Sequence, residues 1–375
     1  METTRLPKAL QEIAQRVRAA IADRTPLRIR GGGTKDFYGQ GPVHGRAGEV
    51  LDTKAFDGLR GIVSYEPSEL IVTARAGTTL AEVEMALAEK NQYLAFEPPW
   101  FGPGATVGGM VASGLSGPAR ASVGSVRDFV LGAQLLKATQ EGQAELLNFG
   151  GQVMKNVAGY DVSRLLVGSL GTLGLITEVS LKVLPRPVAE ATLAFEMDEA
   201  TALRQLNAWG ARPLPLNASC WHGGALMLRL RGANAAVESA CKALKAEANG
   251  QLLNEAQAAQ LWRGLREQTA SFFKLAEGES LLRLSVPDTT PPVNLGPTLI
   301  EWHGAQRWIK LPLHEGSVPD DILGHATLFR VTREEDKRKG VFTPLAAPLA
   351  RIHRELKKQF DPAGIFNRGR MYSDF

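Results

Sequence analysis

Apolar residues at Leu6, Leu10, Ile13, Val17 and Ile21 recur every three or four positions with Arg and Gln between them, which predicts an amphipathic N-terminal helix. Leu27-Arg28-Ile29-Arg30 then alternates like a strand and ends in a glycine loop, Gly31-Gly32-Gly33-Thr34-Lys35-Asp36. Ile62-Val63-Ser64-Tyr65 and Leu70 to Ala74 also read as strands, and Thr79 with Glu82 forms a capping box that opens a helix through about Lys90. A loop from Glu97 to Gly109 leads into a short small-residue segment with Thr106 as its N-cap. Phe129 to Leu136 reads as a strand, followed by a hairpin around Glu141-Gly142. Gly168, Gly171 and Gly174 then run into Leu175, Thr177, Val179, Leu181 and Val183 on one face of a further strand. Leu184-Pro185-Arg186-Pro187 marks a boundary, beyond which strands (Ala225 to Leu230, Leu281 to Val286, Trp308 to Leu311) mix with helices near 235–247, 255–268 and 347–359. Such interleaving predicts α+β or α/β layers.

Composition narrows the classes. A chain of 375 residues suggests two or three domains. Charged residues are neither sparse nor blocky, which argues against disorder. No apolar run reaches the roughly 18 residues that span a bilayer, and the first helix does not read as a signal peptide, so the expected location is the cytoplasm. Cys220 and Cys241 alone make no disulfide framework and no metal-type spacing. A net charge of +4 from scattered Lys and Arg gives little support to a nucleic-acid partner.

The glycine loops carry the chemistry. Successive backbone N–H groups meet a pyrophosphate's charge without bulky cations, and hydrogen bonds to charged groups are worth roughly 1.5–3 kcal/mol each. Gly31 to Thr34 and Thr106 to Gly109 both have that character. Neither fits a familiar nucleotide signature: no G-x-G-x-x-G follows a strand and no G-x-x-x-x-G-K-[ST] occurs. A Rossmann dehydrogenase and a P-loop phosphotransferase are both disfavoured. On residue logic alone, the Gly168 to Gly174 run is either a ligand-contacting loop or a tight connection, and Gly124-Ser125-Val126-Arg127-Asp128 is either part of a site or a surface turn.

Together these segments resemble one family. Arg30 to Thr34, Ala105 to Ser113, Gly124 to Asp128, Lys155-Asn156-Val157-Ala158-Gly159-Tyr160-Asp161 and Gly168 to Glu178 occur in the order of the vanillyl-alcohol oxidase type FAD-binding domain, also called the PCMH domain, over about residues 5–188. Within it, Glu97-Pro98-Pro99, Gly108 to Ala112, Val153 to Asp161 and the ending Asp361 to Asn367 look like the FAD-binding subunits of bacterial glycolate oxidases. The resemblance implies an α+β fold: a two-subdomain FAD-binding domain over 1–188 (about 1–75 and 76–188), followed by a smaller α+β domain over 189–375 with a C-terminal helix and tail. It places Gly31, Gly32, Gly33, Thr34 and Lys35, with Thr106, Val107, Gly108 and Gly109, around the pyrophosphate of FAD. Ser113, Gly117, Gly124 and Ser125 would line the flavin side, Gly171 and Ile176 would give backbone contacts, and Pro99, Ala105 and Asp128 complete the implied set. Many members attach FAD through a His after the first glycines; Thr34 stands there, so non-covalent FAD is expected.

Departures bear on function. Related 2-hydroxy-acid dehydrogenases carry a His-Gly-Asp-Gly-Asn-His metal-binding stretch, absent here, and the six histidines (His44, His222, His303, His314, His325, His353) lack ligand spacing. Neither a metal nor a general base is assigned. The expected role is an FAD-binding subunit of a complex oxidising glycolate to glyoxylate with a second flavoprotein subunit and an iron–sulfur subunit, reaching the membrane's inner face only through partners. Two alternatives stand beside it: an autonomous FAD-dependent 2-hydroxy-acid dehydrogenase holding the acid on Arg229, Arg231 or Arg283, and a non-catalytic FAD-binding scaffold. Those arginines read first as ordinary strand-face charges. Trp302-His303 reads as partner surface and Trp308 as core.

Overall fold

The computed structural model describes residues 7–41, 48–151, 161–312 and 324–375. Helix α1 (Lys8–Ala22) buries Leu10, Ile13, Ala14 and Val17, the stripe its periodicity sets, and leads to β1 (Leu27–Arg30), which pairs in parallel with β2 (Glu49–Asp52). Strands β3 (Ile62–Glu66) and β4 (Ile71–Arg75) precede α2 (Leu80–Ala88), where Thr79 and Glu82 form the expected capping box. After the two-residue β5 (Gln92–Tyr93) come three short helices: α3 (Val107–Ser113), α4 (Arg120–Val123) and α5 (Val126–Phe129). The hairpin of β6 (Val130–Ala138) and β7 (Ala144–Gly150) follows, then β8 (Leu175–Lys182) and the short β9 (Leu184–Pro185). Five of these strands form an antiparallel sheet in the order β3-β4-β8-β6-β7. Strand β8 lies at its centre and is buried on both faces, so its residues do not alternate cleanly between core and solvent.

The second half is built on a larger antiparallel sheet. Its elements in chain order are β10 (Ala189–Glu196), α6 (Glu199–Gly210), β11 (Leu216–His222), β12 (Ala225–Gly232), α7 (Asn234–Ala248), β13 (Gln251–Leu252), α8 (Glu255–Arg266), β14 (Glu279–Ser285), β15 (Thr298–Glu301), β16 (Gln306–Pro312) and β17 (His325–Val331). They pair in the order β13-β10-β12-β11-β15-β16-β14-β17. Helices α6 and α7 cover one face, where Leu203, Leu206, Trp209, Val237 and Leu244 pack on Phe195, Leu226, Leu228 and Ile300. The opposite face packs on α8 and on the first half, joining Trp262, Trp308 and Phe329 to Tyr38, Leu115 and Leu170 in one core.

The final helix, α9 (Ala347–Phe360), and the tail after it return to the first half. Phe360 meets Phe149, Leu27 bridges Phe366, and Lys357 donates to the carbonyls of Thr172 and Phe366 and to Asp361 at 2.6, 2.8 and 2.7 Å. Residues grouped by sequence with 189–375 therefore pack with the glycine loops instead.

Candidate functional site

Three glycine loops meet at one end of the five-stranded sheet and enclose a groove of about 870 Å³, counted to its mouth. The structure brings together Gly31, Gly32, Gly33, Thr34, Lys35, Thr106, Gly108, Gly109, Ser113, Gly171 and Ile176 along its walls. The first loop leaves β1 and crosses so close to the loop before α3 that a Cβ on Gly32 would sit 1.5 Å from the Gly104 carbonyl oxygen. The last loop is held to α3 by backbone bonds, Gly168 to Val111 and Leu170 to Ala112, at 3.0 and 2.8 Å. Gly168, Gly171 and Gly174 all take positive φ, as a run built from glycine implies.

Among the described residues, the amides of Gly31, Gly32, Gly33, Thr34 and Lys35 donate to no protein acceptor. Buried or half-buried amides are nearly always paired, so a run of unpaired ones facing a groove is a place for an external acceptor. Charge reinforces it. Arg28, Arg30, Lys35 and Arg370 line the same groove against one carboxylate, Asp36. Asp36 takes Arg30 at 2.8 Å and Arg28 at 3.2 Å, and Arg370 donates to the carbonyls of Lys35 and Asp36. Burial pulls the Lys35 amine down to about 8, partly offset by Glu267.

The second loop does a different job from the one expected. The amides of Val107, Gly108 and Gly109 are already used, on the Thr78 carbonyl, the Ala76 carbonyl and Thr106 Oγ1 at 2.9, 2.7 and 3.2 Å. Gly108 is small because a Cβ would lie 2.7 Å from that of Ala76. Val107, Gly108 and Gly109 thus add no free amide to those of the first loop, and Gly108 and Gly109 serve as wall. Ala105 and Val107 turn their side chains into the core. Ser125 and Asp128 form a capping box on α5, with Asp128 accepting from the Ser125 amide and hydroxyl at 2.8 and 3.0 Å; they and Gly124 lie off the groove lining. Pro99 and Gly117 line a second cleft. Of the Lys155 to Asp161 motif, residues 155–160 lie outside the described residues. Sequence reasoning missed Arg28, Tyr38, Arg370 and Asn367 as groove residues. Asn367 accepts from the Ile29 amide at 2.8 Å and donates to the Leu170 carbonyl at 2.6 Å, stapling the first and last loops together.

Residues 2–143 match the FAD binding domain family model. Over 368 residues the chain is 44% identical to the glycolate oxidase subunit GlcE of Escherichia coli (strain K12), covering 97% of both chains. The chain belongs to the GlcE family. It is also 30% identical over 199 residues to the glycolate oxidase subunit GlcD of Bacillus subtilis (strain 168), covering 53% of this chain and 40% of that one. A solved alkyldihydroxyacetonephosphate synthase shares the fold, with a TM-score of 0.65 at 16% identity over 96% of this chain and 74% of the other. The groove fits the cofactor of an FAD binding domain on its own terms: among the described residues, five amides without a protein acceptor and a surplus of cations suit a pyrophosphate.

The GlcE-family chain has its second cleft where the two halves meet. Arg229 and Arg231 on β12 are not ordinary strand-face charges. Arg229, 2% exposed, grips both oxygens of Glu97 at 2.8 and 2.7 Å and takes Asn217 at 2.7 Å. Arg231 holds Glu97 at 2.8 Å and Glu190 at 2.6 Å. Both are committed to joining the halves and are unavailable to a substrate carboxylate. Trp302 is buried, donating its indole N–H to the Gly117 carbonyl at 3.0 Å, so it is an internal contact and not partner surface. Trp308 is core, as expected. Among the described residues, no three His, Cys, Asp or Glu side chains gather as a metal site, and no helix is long and apolar enough to cross a membrane.

Proposed function

We propose that the chain is the FAD-holding subunit of a glycolate oxidase assembly that converts glycolate to glyoxylate together with a second flavoprotein subunit and an iron–sulfur subunit. The observation that carries this reading is the set of five amides on Gly31 to Lys35 that have no acceptor among the described residues, in a chain similar to GlcE over 97% of its length. These amides, with Lys35 and Arg370, hold the pyrophosphate; Ser113, Gly171 and Ile176 wall the cofactor, and Asn367 fixes the distance between the loops. FAD bound there supplies an acceptor for the hydride of an alcohol carbon.

The test is to purify the chain alone and with its partner subunits, release flavin by acid, and follow the flavin spectrum anaerobically with glycolate. Dissociable FAD, and bleaching that requires the assembled complex, are the expected results. A colourless chain that takes up no added FAD overturns the proposal.

A further inference from the structure

We propose that the pocket between α9 and the C-terminal tail binds a flat aromatic carboxylate, its ring among those of Phe342, His353, Tyr372 and Phe375 and its carboxylate on the Arg338 guanidinium. The pocket stands apart from the cofactor groove, and the proposal is independent of the flavoprotein-subunit reading.

The pocket holds about 340 Å³ of free space, and about 900 Å³ counted to its mouth, within the range of small-molecule sites. It shares no lining residue with the groove. The tail divides the two: Arg370 lines the groove and is tied to the Lys35 and Asp36 carbonyls at 3.3 and 2.8 Å, while Met371 to Phe375 line the pocket. On the opposite wall Phe342 bridges Thr327 of β17, with the Leu328 amide on the Val341 carbonyl at 2.7 Å and the Thr343 amide on the Ala326 carbonyl at 3.0 Å. Tyr372 Oη fixes the tail to that wall by donating to the Thr343 carbonyl at 3.2 Å, and the Gly369 amide closes the tail on the Phe375 carbonyl at 2.7 Å. Hydrogen bonds on two sides thus preform the space.

Four rings border it. Phe342 meets Tyr372 at 6.0 Å, Tyr372 meets His353 at 6.3 Å and His353 meets Phe375 at 5.8 Å, with interplanar angles of 58°, 86° and 62°. At those angles none of these rings stacks face to face on its neighbour, so a flat ligand can add an offset stack, worth about 0.5–1.5 kcal/mol per pair beyond its burial. Val341, Leu345 and Met371 add apolar surface around them.

Charge decides which flat ligand fits. Arg338 and Arg354 line the pocket with a single carboxylate, Asp374. Asp374 takes Arg354 at 3.2 Å, and Arg338, an exposed residue, has no carboxylate partner among the described residues. One spare guanidinium matches one carboxylate, and the Asp374 charge in the same lining disfavours a dianion such as a phosphate monoester. His353 Nδ1 lies 2.9 Å from the Leu349 carbonyl, which only accepts, so Nδ1 carries the proton. Its Nε2 has no partner among the described residues and is left to accept a ring hydroxyl or N–H.

The test is calorimetric titration of the full-length chain, as purified and with its flavin content recorded, using 2-naphthoate, 2-naphthylmethanol, which keeps only the ring, and acetate, which keeps only the charge. Naphthoate is expected to bind about tenfold or more tightly than either. R338M is expected to bring naphthoate down to the affinity of the alcohol and to leave the alcohol unchanged. A350W, which fills the space from α9, is expected to abolish binding of both. Melting temperature and flavin content relative to wild type establish that each variant is folded, and if A350W is not, R338M, at an exposed residue, carries the test. Absence of naphthoate binding by the wild type, an affinity no better than that of the alcohol or of acetate, or an unchanged affinity in either folded variant overturns the site.

Discussion

Replacing Glu97 with Gln removes one charge and no volume, and it strips Arg229 of its counter-charge at 2% exposure. Removing one partner of a buried ion pair costs about 3–5 kcal/mol. Arg231 keeps Glu190 in the variant, so only one guanidinium is orphaned and the lower end, about 3 kcal/mol, applies. With about 2.1 cal/mol/K of unfolding entropy per residue over 375 residues, the melting temperature falls by about 4 °C. The effect has a pH signature. Burial alone would raise the Glu97 carboxyl, but Arg229 and Arg231 outweigh it and hold the carboxyl below the ordinary carboxylate range. A folded value below the unfolded one gives stability that is full above the unfolded value and is lost as pH falls through the folded one. The wild type and Glu97→Gln should therefore differ most at neutral pH and converge on acidification below about 4. Removing both charges, as in Glu97→Leu with Arg229→Met, should cost less than the sum of the single changes, since no charge is then left unpaired. Near-UV circular dichroism melts between pH 3 and 8 measure all of this. A melting temperature for Glu97→Gln within 1 °C of wild type at pH 7, or a gap that persists on acidification, would refute the reasoning.

Gly32→Ala places a Cβ 1.5 Å from a backbone carbonyl that cannot yield, so the first two loops must part; the expected protein folds but purifies with little flavin, read from the ratio of absorbance at visible and ultraviolet wavelengths. Asn367→Ala leaves the Ile29 amide and the Leu170 carbonyl without their partner, which costs about 2–4 kcal/mol and loosens the groove, seen as a lower melting temperature and faster FAD loss on dialysis. Lys35 is charged below about 8 and neutral above it, so FAD affinity should fall as pH rises through that value. Lys35→Met should flatten the profile, measured by flavin fluorescence titration; parallel profiles would refute a role for its charge.

Local chemistry made the first loop and the capping boxes legible in the sequence. Gly31 to Lys35 gather because they are contiguous, and Thr79 caps α2 through a residue three positions away. That the amides of Val107, Gly108 and Gly109 are already used was not legible for want of non-local information: their acceptors include Ala76 and Thr78, near thirty residues upstream. Asn367 shows the same limit, since nothing in a tail sequence reveals that it returns to bond Ile29, 338 positions away. For Arg229, the sequence suggested only an ordinary strand-face charge, and the packing of the other half decides that this face of β12 is buried and that Glu97 meets it there.

The loop from Glu97 to Phe101 links these findings. Its two ends sit at φ of 49° and 54°, a cost of order 1–3 kcal/mol each that its bonds must offset. Glu267, the residue capping α8, accepts from the amides of Trp100 and Phe101 at 3.0 and 2.8 Å, and Glu97 takes the two arginines of β12. On its other side the Trp100 carbonyl accepts from Lys35 Nζ at 3.3 Å, at the edge of the groove, while Pro99 and Phe101 line the cleft. One strained segment, held by the second half of the chain, therefore forms a wall of the cleft and contacts a charged residue of the groove.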